Sequence, residues 1–573
     1  MKHAKYFLLA LLIWSGAAHA GFTGKSFLTY RSQGFNLARS VSGWEKSETG
    51  HNASVAVEYT RSFDGDGINK YFFGCNECNQ LVFSGSRYEN RGKNDILADY
   101  FGLPTDFKSV VNFSPRIQNV ITDFDFYWNL SGEPTGFNLR IDVPLAYSKW
   151  TLDPCETVIS SGTLAYPAGY MSANRIEHDQ LEKGALPVLR GCSTFGDLTY
   201  PLQYGRIVDS QHATKFADVL VALGYTFVCR PKGRFGADVH VVIPTGTRSH
   251  AKNLFEPQIG NGHHWALGVS LTGCYNFIGD EESDWRVSAS IDAYIQHLFK
   301  TTQLRSYDLK KNGCGSRYVL LEDMIGPGIA ITEGFSPVPL TDLLSNSYIT
   351  RLSYVIDATT LASTIKIDVQ ADIVAKFTAH YHNWNFDLGY NFWARSKEKL
   401  VSRDCFNHKY YGVKGDAQLY GFLAIGPGFE IPIPLNATQS QATLHAGQGN
   451  GNTTDNFVNN NADNAALVYN AGAPLTQTKS DSTTGTGVTS LEQVNGSNQA
   501  IILSDNDINN CSGLSPRALS NKVFGSVGYT VDHWSRVTCF FSLGAEGEFG
   551  MKTDGVKTAI SQWGVWAKGS VNY

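Results

Sequence analysis

The sequence predicts an all-β protein: a transmembrane antiparallel β-barrel of about twelve strands, within a range of ten to sixteen, carrying long extracellular loops. Three observations lead there: an export signal with no apolar helix behind it, strict two-residue alternation in long segments, and connections that are short and long in turn. Composition agrees. The 573 residues are 42% apolar and 12% aromatic but only 17% charged, with 27 Tyr and 33 Phe against four Met, a bias toward residues that suit strands.

Lys2 and Lys5 precede an apolar run from Phe7 to Trp14 that ends in small residues at Ala18-His19-Ala20, the pattern of a signal peptide over residues 1–20, cleaved after Ala20. Eight continuous apolar residues are too few to cross ~30 Å of hydrocarbon as a helix. Loss of the two lysines leaves 45 basic and 52 acidic side chains, a net charge of −7, which excludes a nucleic-acid partner held by phosphate neutralisation. The longest apolar runs after the signal, such as Val219–Leu223 and Ala465–Tyr469, are five residues long. The exported chain is therefore soluble or a closed barrel, the one other structure that pairs every backbone group in lipid.

Alternation decides for the barrel. Phe137, Leu139, Ile141, Val143, Leu145 and Tyr147 are apolar at every second position, with Asn138, Arg140 and Asp142 between them. The same pattern holds at 219–227, 235–243, 285–295, 365–377 and 384–394, so each strand has one greasy and one polar face. Runs of 9 to 13 residues match the length of a tilted membrane strand and exceed the usual soluble one. Strands are expected at 55–63, 120–130, 137–148, 218–228, 234–243, 264–278, 285–298, 363–377, 384–395, 522–531, 537–549 and 560–573. Short polar turns join them in pairs, and the longer loops are 64–119, 149–217, 299–362 and 396–521, with the barrel and its loops spanning 55–573. Tyr411–Ile425 also looks extended but is assigned to a loop, because an odd strand breaks the parity of a bacterial barrel. An Asn-rich tract, 436–510, has too few apolar groups to offset the entropy of ordering.

The chain end alternates as Trp563, Val565, Ala567, Gly569, Val571 and Tyr573, with Lys568, Ser570 and Asn572 on the other face. Here the sequence resembles the Gram-negative outer-membrane β-barrel proteins, porin-like in outline, whose last strand commonly ends in an aromatic residue read by the barrel-insertion machinery. The resemblance implies a bacterial outer-membrane location, lipid and that machinery as partners, and Tyr573 as the assembly signal, although Phe is the commoner ending. Gly85-Ser86-Arg87 through Pro104 is similar to a stretch in uncharacterised surface proteins of Dependentiae bacteria and implies no activity. Residues 21–54 precede the first strand as a periplasmic or plug segment, an arrangement similar to outer-membrane fatty-acid channels.

All ten cysteines follow the signal, in a compartment that permits oxidation. Cys155 with Cys192 and Cys405 with Cys511 are the candidate disulfides. Seven cysteines fall in outer loops and three, Cys229, Cys274 and Cys539, at or near periplasmic strand ends, and the odd number on each side leaves thiols that are inert or that link a homo-oligomer. Cys75-Asn76-Glu77-Cys78 lacks the second ligand pair of a zinc site. No G-x-S-x-G, phosphate-loop or H-E-x-x-H motif is present, so no metal, no cofactor, no catalytic residue and no enzyme are expected.

What remains is the polar face. Arg140, Asp142, Arg234, Asp238, Arg286, Asp292, Lys366, Asp368, Asp372, Lys376, Asp387 and Arg395 point away from lipid and are the candidate pore-lining residues. Six basic against six acidic groups predict weak charge selection in a passive channel for small solutes. The alternative is a barrel sealed by its own ion pairs, a structural or adhesive protein whose loops meet a surface partner.

Overall fold

A computed structural model describes residues 31, 33–42, 50–73, 80–89, 91–92, 94–279, 284–326, 348–406, 410–426, 429–434, 438–447, 500–534, 537–553 and 556–573. The signal, Cys75, Cys78 and most of the Asn-rich tract lie outside these residues.

Twelve antiparallel strands close into a barrel resembling those of outer membranes: β1 (His51–Ser62), β2 (Arg116–Asn129), β3 (Gly136–Thr151), β4 (Val219–Arg230), β5 (Gly233–Ile243), β6 (Ala266–Ile278), β7 (Trp285–Ser306), β8 (Thr360–Tyr381), β9 (Trp384–Arg395), β10 (Ala518–Trp534), β11 (Val537–Gly550) and β12 (Gln562–Asn572). Each pairs with its sequence neighbour. The seam is β1 on β12, from Asn52 opposite Asn572 to Ser62 opposite Gln562. Tyr573 extends it by exchanging both backbone hydrogen bonds with His51, at 2.8 and 3.0 Å. Closure leaves no strand edge unpaired, as lipid requires.

The faces sort as the alternation demands. Leu543, Leu388, Phe541 and Phe377 point outward and are 60–68% exposed, whereas Glu58, Asp123, Asp142, Lys522 and Lys568 point inward and are buried. An exposed greasy belt around a charged interior is unstable in water and stable in a bilayer. Near the short turns the belt becomes aromatic: Trp285 lies against Tyr381 at 4.5 Å, Trp384 against Tyr529 at 5.0 Å and Phe137 against Tyr225 at 5.0 Å. Such girdles sit at the membrane–water boundary.

Strands β7 and β8 run for 22 residues each, well past the expected 285–298 and 363–377, because they continue beyond the bilayer. There the wall is extended by Ser210–Phe216 on β3 and by Glu398–Arg403 on β8. One irregularity reverses the faces of β8. Gln296 lies opposite Gln370, but Leu298 lies opposite Ile367, so β8 spends one residue more than β7 and everything beyond changes side. Ile365 and Ile367 consequently point inward, fully buried.

The long loops fold together over one end. Phe83, Tyr100, Phe101, Tyr166, Tyr170, Leu320 and Tyr354, from three different loops, share one buried core. Small sheets frame it, including Leu320–Met324 between Tyr348–Tyr354 and Tyr410–Val413. Tyr420–Gly426 pairs with Phe429–Pro434, so the Tyr411–Ile425 segment is two strands with a turn between them, and both belong to this cap and not to the wall.

Candidate functional site: a plugged lumen

A wall of twelve strands encloses more space than its own side chains fill. The N-terminal segment occupies it. Residues 31 and 33–42 lie inside the barrel, and Leu37–Val41 forms a short helix, α1, all of whose residues are buried. Gly34 packs so tightly that a Cβ there would stand 2.5 Å from the Ala217 Cβ and 3.3 Å from Pro144. Only glycine permits that approach.

The segment is held mainly by polar bonds to the wall. The Arg31 guanidinium donates to Asp372 on β8 at 3.0 Å, to Glu548 on β11 at 3.1 Å and to Asn391 on β9. Arg39, fully buried, bridges Glu58 on β1 and Asp123 on β2 and also donates to the Gly34 carbonyl at 3.1 Å. Asn36 donates to Glu58 at 2.9 Å and Glu546 at 3.0 Å and accepts from Lys522 at 3.2 Å. The open C-terminal carbonyls of α1 are met by cations: Lys376 reaches the Val41 carbonyl at 2.7 Å, and Lys568 reaches those of Ser40 and Ser42 at 2.7 and 3.1 Å. Lysines suit that end because its carbonyls lack intrahelical partners.

Of the residues expected to line a pore, Arg140, Asp142, Arg234, Asp238, Arg286, Asp292, Asp372, Lys376, Asp387 and Arg395 lie on inward-facing positions. They are not one ring. Arg140 pairs with Asp125 and lies 3.8 Å from Asp142, Lys376 pairs with Asp387 at 3.2 Å, and Arg395 pairs with Glu398 near the cap. Lys366 and Asp368 are a correction. The extra residue in β8 turns them outward, where Asp368 meets Lys399 of the wall extension. The residues missed are the ones that grip the plug: Glu58, Asp123, Asp125, Lys522, Glu546 and Glu548. Their strands alternate too, as at Phe124-Asp125-Phe126 and Gly547-Glu548-Phe549, but with the apolar face interrupted at Thr122 and Gly547.

The candidate disulfides are a second correction, since Cys155, Cys192 and Cys405 are free thiols. Glu156, next to Cys155, accepts from the Ala185 and Leu186 amides at the start of the helix Ala185–Leu189. Cys192 follows the other end of that helix, where the chain turns back and its amide donates to the Pro187 carbonyl at 3.0 Å. Cys405 and Cys511 lie on chain segments joined by Arg403, which bonds Asn510 at 2.7 Å and Asp505; this contact ties the two segments without a covalent link between Cys405 and Cys511.

Two cavities lie on either side of the plug. One, of about 160 Å³, opens at the end with the short turns and is lined by Arg140, Arg230, Arg234, Arg286, Asp292 and Lys376, with Val41 of α1 closing it. The other, of about 60 Å³, is in the cap and is lined chiefly by Phe72, Phe83, Phe101, Leu189, Leu254 and Leu444. Among the described residues no helix is long and apolar enough to cross a membrane.

No protein-family model and no curated protein matches the chain, so the short likeness to Dependentiae surface proteins gains no support. Among solved structures it is similar to the CymD monoaromatic hydrocarbon channel, at 8% identity over 92% of this chain and 89% of that one, TM-score 0.23. It is similar also to a Pseudomonas aeruginosa FadL homologue, at 7% identity over 91% and 90%, TM-score 0.25. A third is the β domain of the Bordetella autotransporter BrkA, at 7% identity over 91% and 98%, TM-score 0.24. At this similarity the likenesses carry no argument about cargo or activity.

Proposed function

We propose that the protein is a non-enzymatic outer-membrane channel for small solutes, closed at rest by its own N-terminal segment. The observation that carries this reading is what fills the lumen: a separate, terminal piece of chain, bonded to the wall through side chains that water can replace. A barrel built only as a scaffold needs no removable filling, since bulky wall residues close a narrower barrel. The end with the short turns and both termini is periplasmic and the capped end extracellular. The cap cavity, apolar on nearly every side, favours largely apolar solutes at the entrance, and the charged wall beneath supports passage once the plug moves.

Planar-bilayer conductance tests the reading. The full chain is expected to stay mostly closed, while a variant lacking residues 31–42 gives long-lived steps. A deletion variant that inserts and shows heat-modifiable migration yet never conducts would overturn it. That outcome favours the second reading, a surface-display protein, for which the shared core of the cap speaks because it holds the outer loops as one rigid body.

A further inference from the structure

We propose that the outer face of β1, β2 and β3, at the capped end of the wall, is a docking site for a phosphate-bearing lipid of the outer leaflet. Three cations meet there. Arg61 on β1 lies opposite Gln118 on β2, and Gln118 lies opposite Lys149 on β3. Arg116 stands two residues beyond Gln118 on the same face. With strands about 4.8 Å apart and residues about 3.4 Å apart along them, the three Cα positions form a triangle about 8 to 10 Å on a side. Arginine and lysine side chains are long enough to close that span over one headgroup.

The height of the triangle selects lipid. On β3 the outward apolar positions run from Phe137 to Tyr147, a rise of about 25 Å along the membrane normal at the usual strand tilt, which is the height of an outer-membrane apolar band. Lys149 is the next outward position. One row below the cations, Tyr59, Val120 and Tyr147 lie opposite one another. Tyr59 packs against Trp563 at 5.6 Å, and its hydroxyl accepts from the Gln118 amide at 2.8 Å. Such amphipathic rings sit where acyl chains end and headgroups begin. The cations immediately above them are therefore at the depth of lipid phosphates, whose oxygens match the planar fork of arginine.

Charge selects an anion. Among the described residues no carboxylate occupies an outward position on β1, β2 or β3, and Arg61, Arg116 and Lys149 meet no ion-pair partner. The Arg116 Nε is buried without a hydrogen bond. Asp64, which follows β1, and Asp209, which precedes the wall extension on β3, are answered by Lys557 at 2.5 Å and Arg190 at 2.6 Å. Elsewhere on the wall the outward Lys366 and Lys399 share Asp368 and are neutralised in place. Unpaired cations at a lipid boundary, where the dielectric is lower than in water, gain more from an anion than the same groups in open solvent.

The site takes from the proposed function only its orientation, capped end outside, and nothing of the channel. The test is native mass spectrometry of the full chain in a non-ionic detergent, incubated with diphosphoryl lipid A. Retention of one lipid per chain is expected, weakened at least about tenfold in Arg61→Gln/Arg116→Gln/Lys149→Gln, a loss of about 1.4 kcal/mol. Lys149→Gln alone is expected to weaken it in part and Lys366→Gln not at all; this pair decides if the triple variant fails to show heat-modifiable migration. Dephosphorylated lipid A is expected to be retained poorly, and equimolar inorganic phosphate to displace nothing. Equal retention of the dephosphorylated lipid, displacement by inorganic phosphate, or the same loss from Lys366→Gln as from Lys149→Gln overturns the site. Protease access to the cap on intact cells reads the orientation separately, and conductance of the variant lacking residues 31–42 reads the channel, so each can fail alone.

Discussion

Replacing Arg39 by Ala is the sharpest perturbation of the plug. Its side chain is fully buried, and Glu58 and Asp123, its two partners, are 1% and 4% exposed. The change leaves two carboxylates close together without their shared cation and the Gly34 carbonyl without a donor. Breaking a buried pair by removing one member costs about 3–5 kcal/mol, and each 1.4 kcal/mol is a factor of ten in an equilibrium. The closed state falls by that amount while the released state, with water on both partners, loses little. The closed-to-open ratio is therefore expected to drop by about two to three and a half orders of magnitude. Single-channel recording reads this directly as open probability. Arg39→Lys is expected to fall between, because one ammonium keeps the charge but lacks the fork that spans both acids. An Arg39→Ala channel as silent as the parent, alongside a conducting deletion variant, would refute the claim that this residue holds the plug.

Three further outcomes are expected. Gly34→Val forces atoms into Ala217 and Pro144, an overpacking worth about 1–3 kcal/mol, and should speed protease cleavage of the N-terminal segment in reconstituted protein; unchanged cleavage counts against the tight fit. In the cap, burial pushes the Asp357 carboxyl up to about 7, against hydrogen bonds from the Gln203 and Tyr204 amides that favour its charge. A carboxyl raised in the folded state gives stability that is complete below about pH 4 and lost as pH rises toward 7, up to about 4 kcal/mol. Cap proteolysis should therefore rise over that window, and Asp357→Asn should flatten the profile. Deleting Tyr573 removes both backbone bonds to His51 and should slow assembly, seen as a delayed heat-modifiable band; normal kinetics would show the seam closes without it.

Much of the wall was legible because membrane burial imposes a period of two that nothing else in the chain mimics. Val55, Val57 and Tyr59 outside with Glu58 and Thr60 inside obey it as clearly as β3 does. The bulge in β8 was not legible: Ile365 and Ile367 continue the apolar series of Val369 and Ile373 without a break, and only pairing with β7 shows that they change sides. The plug was readable as a position in the chain but not as a set of contacts. Arg31, Asn36 and Arg39 carry no pattern of their own, and their partners come from β1, β2, β8, β9, β10 and β11, which only closure brings together. The cap was hidden for a similar reason, since its core draws on segments far apart in sequence whose apolar residues follow no single period.

The described plug residues run to Ser42 and the first wall strand starts at His51, with eight residues of chain between them. Fully stretched, eight residues span about 28 Å, roughly the thickness of the hydrocarbon core. If the channel opens as proposed, the released plug is an inhibitor on a leash, facing its own receptor at an effective concentration of about millimolar. Re-closure is a first-order event, independent of protein dilution, and a free peptide copying residues 31–42 has to reach comparable concentration before it silences the deletion variant.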